Sequence, residues 1–226
     1  NTLTDAAAIA AAQTDASSFR DGLFSHGILI DTGENGLYGR SRVFESVVDG
    51  LNAAITHLGA DQHPEFLRFP PAMRRTDFED SEYLKSFPNL AGTIHSFCGN
   101  EGDHVRLLRC LDDAMKESDD ERNDEWMKYQ KPTRLTLTPA ACYPIYPVIA
   151  RRGPAPANGH TIDVLSYCFR HEPSIDPGRM QMFRQREYVR IGSPEQVMAF
   201  RQMWIERGSL LIDLLRLPVE VDLAND

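Results

Sequence analysis

The chain has 226 residues, 42% of them hydrophobic and 25% charged, which suits one large globular domain or two small ones. A formal net charge of −9 argues against a protein that grips a long RNA through a basic face, although Arg74–Arg75 and Arg151–Arg152 are local basic pairs. No apolar run approaches the length of a membrane span, and the Ala-rich start lacks a cationic leader, so the four cysteines read as reduced thiols or metal ligands in a cytoplasmic protein.

Residues 4–25 predict a helix capped by Thr4 or Asp5. The stretch TGENGLYGRS (32–41) is turn-rich. Over 41–58 the apolar positions Val43, Phe44, Val47, Val48, Leu51, Ala54, Ile55 and Leu58 form a helical stripe, with Ser41 as cap and Gly59 as stop. EFLRFPP (65–71) is a short strand ended by prolines. Residues 72–97 give short helical turns and a strand at GTIHSF. The acidic run over 111–126 is a solvated helix or loop. RLTLTPAACYPIYPVIARRG (134–153) starts as a strand and becomes a proline-interrupted helix. TIDVLSYCFR (161–170) leads into a hairpin. Ser193 caps a long helix to about Leu215, with Glu195 in its first turn, and VEVDL (219–223) follows as a strand. The fold class is α+β, an antiparallel sheet with helices packed on it.

The stretch YCFRHEPSIDPGRMQMFRQREYVR (167–190) carries the most information. Two apolar and aromatic runs flank a turn built from Pro173, Ser174, Asp176, Pro177 and Gly178, the pattern of a long-looped antiparallel hairpin. Arg170, Glu172, Arg184, Arg186 and Glu187 fall inside the strand runs. A sheet strand holds that many charges when one face lines a polar site; an ordinary hairpin with surface ion pairs is the plainer alternative. Arg170 and Glu172, two apart, predict side chains on one face. A guanidinium beside a carboxylate suits a nucleotide's phosphate and exocyclic amine.

Phe169-Arg170-His171-Glu172 resembles motif 2 of the class II aminoacyl-tRNA synthetases, closest to the seryl branch. The resemblance implies that Arg170 meets the α-phosphate of ATP, Glu172 the adenine amino group, Arg179 the γ-phosphate, and that Phe183 stacks on adenine. Glu187 matches the position that handles the amino acid. The helix and proline-ended strand over 41–71 resemble motif 1, implying a homodimer through that region. Motif 3 is not found, so residues 1–226 read as a single, incomplete catalytic domain, without the charged helical arm that the seryl branch uses on tRNA.

Cys142 stands where the seryl branch often has a carboxylate. In the methanogen-type seryl synthetases the matching cysteine and the residue matching Glu187 bind zinc with a third cysteine, here expected beyond Asp226. Zinc accepts both donors; the bland alternative is a small buried hydrophobe and an ion-pair partner. His95, Cys98, His104 and Cys110 form a looser cluster whose default is core or surface placement.

YGRS, LRFPPAMRR, YLKSFPNLAGTIHSFCGNE, LTPAACYP, VLSYCFRHEP and SPEQVMAFRQMWIERG together resemble the bacterial amino acid:[carrier protein] ligases, truncated homologues of the seryl enzymes. That implies ATP-dependent activation of glycine or alanine, with Mg2+ on the phosphates, and transfer to the phosphopantetheine thiol of a carrier protein, with no tRNA. A tRNA-charging enzyme and a non-catalytic paralogue are the alternatives. An acidic enzyme needs a local basic patch for an acidic carrier. Arg201 and Arg207 on the 194–215 helix, with Trp204 as apolar anchor, are the candidates, against a reading in which Trp204 is core and the arginines are solvated.

Overall fold

The computed structural model describes residues 15–114 and 124–219. The predicted segments 4–14 and 220–223, and the middle of the acidic run, lie outside the described residues.

A helix over residues 15–25 (α1) leads into a hairpin of β1 (Leu29–Glu34) and β2 (Leu37–Arg40). The stretch read as merely turn-rich is therefore a hairpin, with Asn35-Gly36 at its tip; Gly36 has φ +78°, the left-handed conformation that glycine adopts without cost. Helix α2 (Arg42–Gly59) starts at Ser41, whose side chain accepts the Phe44 N–H, a cap of about 1 kcal/mol. Gly59 does not stop it in a left-handed turn. Its φ is −97°, and a Cβ there would lie 2.4 Å from the Tyr188 hydroxyl. Close approach of helix to strand, not turn geometry, requires this glycine.

Two three-stranded groups follow. β3 (Glu65–Arg68), β7 (His160–Phe169) and β8 (Met182–Ile191) form one, in the order β3-β7-β8. β4 (Ala72–Arg74), β5 (Thr93–Phe97) and β6 (Gln130–Leu137) form another, in the order β4-β6-β5. The α+β class holds, but the sheet is not purely antiparallel, because β3 runs parallel to β7. Between them lie α3 (Arg75–Asp80), α4 (Tyr83–Ser86) and α5 (Glu101–Ala114). The segment after β6 turns into α6 (Ile145–Ala150), and α7 (Pro194–Leu215) closes the described chain. Ser193 and Gln196 form a reciprocal capping box at the start of α7, satisfying two helix donors at once.

The β7–β8 hairpin is the spine. One of its faces buries Ile162, Val164 and Cys168 against Ala141, Ile145 and Ile149, with Phe183, Val189 and Ile191 alongside. Burial of each large aliphatic side chain contributes about 1.5–3 kcal/mol. The other face meets α2 and α7. There Arg184 pairs with Glu45 at 2.7 Å, and Arg186 holds fully buried Asp163 in two hydrogen bonds of 3.0 and 2.6 Å while donating to Asn52 and Thr56 on α2. The charges of β8 thus divide by strand alternation, with Arg184 and Arg186 on this face and Glu187 on the other. Among the described residues no helix is long and apolar enough to cross a membrane.

Candidate functional site

The hairpin loop, residues 170–181, is closed by the Arg170 N–H donating to the Gln181 carbonyl at 2.9 Å. Arg170 and Glu172 lie in this loop, beyond the end of β7, so strand alternation does not place them as predicted. Instead the Glu172 N–H donates to the Arg170 carbonyl at 2.7 Å, a three-residue turn, and the His171 N–H between them donates to Leu90. The Arg170 Nε–H donates to the Pro139 carbonyl at 3.2 Å, and its guanidinium lies 5.4 Å from the Phe183 ring centroid, a cation–π contact. Its terminal nitrogens make no hydrogen bond among the described residues. The guanidinium is held from below and open at its tip.

Glu172 and Arg179 pair with each other at 2.5 Å across the loop, both partly exposed. Residues assigned to opposite ends of a nucleotide are therefore neighbours here, and a ligand would have to part them. The loop is stitched locally: Asp176 accepts the Gly178 N–H at 2.8 Å, and Ser174 accepts the Asp176 N–H. The β1–β2 hairpin braces it from outside, with the Asn35 carbonyl accepting from the Gln181 side chain and the Gly36 carbonyl from the Gln181 N–H.

On the same face of β8, Gln185 and Glu187 accept the consecutive N–H groups of Ala141 and Cys142 at 3.1 and 3.2 Å. This ties the TPAACY turn to the hairpin and brings Cys142 to Glu187. The Cys142 thiol neighbours the Glu187 carboxylate and the Tyr146 hydroxyl. Burial, and then the Glu187 charge, push this thiol up to about 12. Burial and the neighbouring Cys142 and Glu187 likewise raise Tyr146.

A thiol held protonated beside a carboxylate is the balance a dication reverses, because a coordinating thiol gives up its proton. Cys142 and Glu187 are thus brought together, two donors of the kinds that zinc accepts. Among the described residues no group of three His, Cys, Asp or Glu side chains forms, so the donor set there is incomplete. His95, Cys98, His104 and Cys110 form no such group either, and all four cysteines are free.

Cys142 opens onto a groove of about 520 Å³ between α3 and α6, walled by Asp77, Asp80, Tyr143, Tyr146 and Ala150. The sequence reading missed Gln185, Asp163 and the two tyrosines. Gln185 left one trace: it shares with Glu187 the two-residue spacing of a single strand face.

Two of the three carrier-docking candidates turn inward. Arg207 grips Asp61 through two hydrogen bonds of 2.7 and 2.6 Å and also donates to the Leu58 carbonyl. The Trp204 ring packs on Tyr188 at 4.3 Å. Arg207 joins α7 to the end of α2, and Trp204 joins α7 to β8 at Tyr188, whose ring passes Gly59. Arg201 alone of the three is exposed.

No family model matches the sequence. The chain is 42% identical over 196 residues to amino acid--[acyl-carrier-protein] ligase 2 of Bradyrhizobium diazoefficiens, and 43% identical over 194 residues to ligase 1 of the same organism. These matches cover 87% and 86% of this chain and 56% of each relative, so the chain spans about half the length of the curated relatives it matches. Among solved structures, the M. kandleri seryl-tRNA synthetase in complex with A. aeolicus tRNASec superposes with a TM-score of 0.71 and 16% identity, covering 86% of this chain and 38% of that one. The backbone is that of a class II synthetase fold.

Proposed function

From a chain that is a homologue of the amino acid--[acyl-carrier-protein] ligases and has a class II synthetase fold, we infer an ATP-dependent ligase. It activates a small amino acid, glycine or alanine, and passes it to the phosphopantetheine thiol of a carrier protein in the cytoplasm. The observation that carries this reading is Arg170, anchored through Pro139 and Phe183 with its terminal nitrogens open.

In the first step the substrate carboxylate attacks the α-phosphorus of ATP. A P–O bond forms, the bond to pyrophosphate breaks, and Arg170 meets the charge that grows on the phosphoryl oxygens. Mg2+ bound with ATP would supply neutralisation of the phosphate charge. Parting of the Glu172–Arg179 pair frees the carboxylate for the adenine amine and the guanidinium for the γ-phosphate. Cys142 and Glu187 would hold zinc, whose chemistry there is to bind the substrate amine in its neutral form. In the second step the carrier thiol attacks the carbonyl carbon of the mixed anhydride. The C–S bond forms, AMP leaves, and the thiol proton passes to solvent. The groove beside Cys142 gives that thiol an approach.

The motif 1 region supports a homodimer. Val43 and Val47 on α2 and Phe66 on β3 are 58%, 60% and 58% exposed, apolar side chains of the kind a second copy covers. Amino-acid-dependent exchange of labelled pyrophosphate into ATP, followed by labelled transfer to holo-carrier protein or to tRNA, tests the reading. Exchange with transfer to the carrier supports it. Transfer to tRNA, or no exchange at all, sinks it.

A further inference from the structure

An acidic chain that receives an acidic carrier protein needs a site where the local field is reversed. The α7 surface no longer supplies one, since Arg207 is neutralised by Asp61 and Trp204 is covered by Tyr188. A different surface does. Arg74, Arg75 and Thr76 at the start of α3, with Arg134 and Leu135 on the neighbouring strand β6, line a cleft of about 290 Å³. Strand pairing sets Arg74 opposite Leu135, so that both strands contribute to the wall of the cleft.

Their charge is only partly met. Arg74 stands 3.9 Å from Asp77 with its side chain 67% exposed, and Arg75 pairs with Glu79 at 3.3 Å, also in water. Such exposed pairs hold little free energy. Arg134 is exposed and makes no hydrogen bond or ion pair among the described residues.

Helix α3 joins this cleft to the groove beside Cys142. Arg74 and Arg75 line the cleft at its start, and Asp77 and Asp80 line the groove further along. The helix is six residues long, about 9 Å from end to end, shorter than a phosphopantetheine arm. Charge along it is graded from arginine to aspartate. A phosphodiester belongs at the arginine end and is repelled from the aspartate end, whereas the neutral amides and thiol of the arm pass the aspartates and tyrosines freely.

We propose that the arginine cleft at the start of α3 docks the acidic face and phosphodiester of the carrier protein, and that the groove between α3 and α6 conducts the arm to Cys142. This rests on the ligase reading above and supplies its partner surface.

The experiment is binding of apo- and holo-carrier protein to the full chain by calorimetry at low and moderate salt, with Arg201→Glu as control. Arg74→Glu/Arg134→Glu is expected to weaken holo-carrier binding at least tenfold at low salt and to flatten its salt dependence, whereas Arg201→Glu binds as the parent does. Arg134→Glu alone, at an exposed position, gives a smaller loss in the same direction and keeps the test decisive if the double variant does not fold. Ala150→Trp, which fills the groove, is expected to erase the difference between holo and apo carriers and leave apo binding unchanged. Parent-like affinity in the arginine variants, or a loss confined to Arg201→Glu, overturns the docking surface and leaves the ligase reading standing. A parent chain that binds tRNA but no carrier protein overturns both.

Discussion

The two faces of the β7–β8 hairpin carry similar residues to opposite ends. On the face toward α2 and α7, charge is paired: Asp163 is fully buried with Arg186 across it, and Arg184 meets Glu45 through one terminal nitrogen while the other stays buried without a partner among the described residues. On the face toward the 138–150 segment and the loop, charge is left available. Arg170 has open terminal nitrogens, Glu172 and Arg179 meet only each other in water, and Glu187 faces a thiol. The difference teaches that a buried pair serves the fold when both partners are saturated, and that a site is built by anchoring one end of a charged group and leaving the other without a partner.

Breaking the saturated face gives the largest effect. Asp163→Ala leaves Arg186 buried and uncompensated, and is expected to lower unfolding free energy by about 3–5 kcal/mol, read by denaturant titration. Asp163→Leu combined with Arg186→Met is expected to recover most of that loss, because it removes both charges together. If the double variant is as unstable as the single, the face is not held by charge balance.

Breaking the open face is expected to spare the fold and cost function. Arg170→Ala should lower pyrophosphate exchange by roughly two to three orders of magnitude, the cost of one preorganised donor, while moving the unfolding midpoint far less than Asp163→Ala does. Near-normal exchange in the folded variant would remove this arginine from the chemistry.

The contact of the α2-facing side of the hairpin with α2 is sharpened by Gly59→Ala. The added methyl would meet the Tyr188 ring at about the 2.4 Å measured to its hydroxyl, so a destabilisation of about 1–3 kcal/mol is expected from overpacking. An unchanged midpoint would show that α2 can retreat from β8.

The smallest effect is a difference in thiol reactivity. Burial, with the Glu187 charge behind it, pushes both Cys142 and Cys168 up to about 12, so each is protonated at neutral pH and alkylates slowly, whereas exposed Cys98 reacts first. Glu187→Gln removes a negative neighbour, lowers the pKa of Cys142 and raises its alkylation rate. Peptide mapping of the labelled chain checks the order.

Patterns within one segment were legible in the sequence. The α2 stripe with its Ser41 cap, the proline-ended strand, the long hairpin around residues 170–181 and the α7 helix opened at Ser193 all appear where the sequence places them. Each depends on local periodicity and backbone preference. Pairing across segments was not legible. Nothing local tells that β3 runs parallel to β7, that Asp163 rather than solvent answers Arg186, or that Trp204 finds Tyr188.

Residues singled out in the sequence do meet in the structure, with Glu172 beside Arg179, Arg170 beside Phe183 and Cys142 beside Glu187, yet their geometry came from contacts far apart in the chain. Arg170 and Glu172 are set by a turn bonded to Leu90, and Cys142 is fixed by Gln185 and Glu187, more than 40 residues on. The sequence by itself determined the class II hairpin and its long loop, because turn residues, strand periodicity and helix caps act over a few residues. Tertiary structure decided which charges are saturated and which stay open, because that depends on the partners long-range packing brings within 3 Å of each donor.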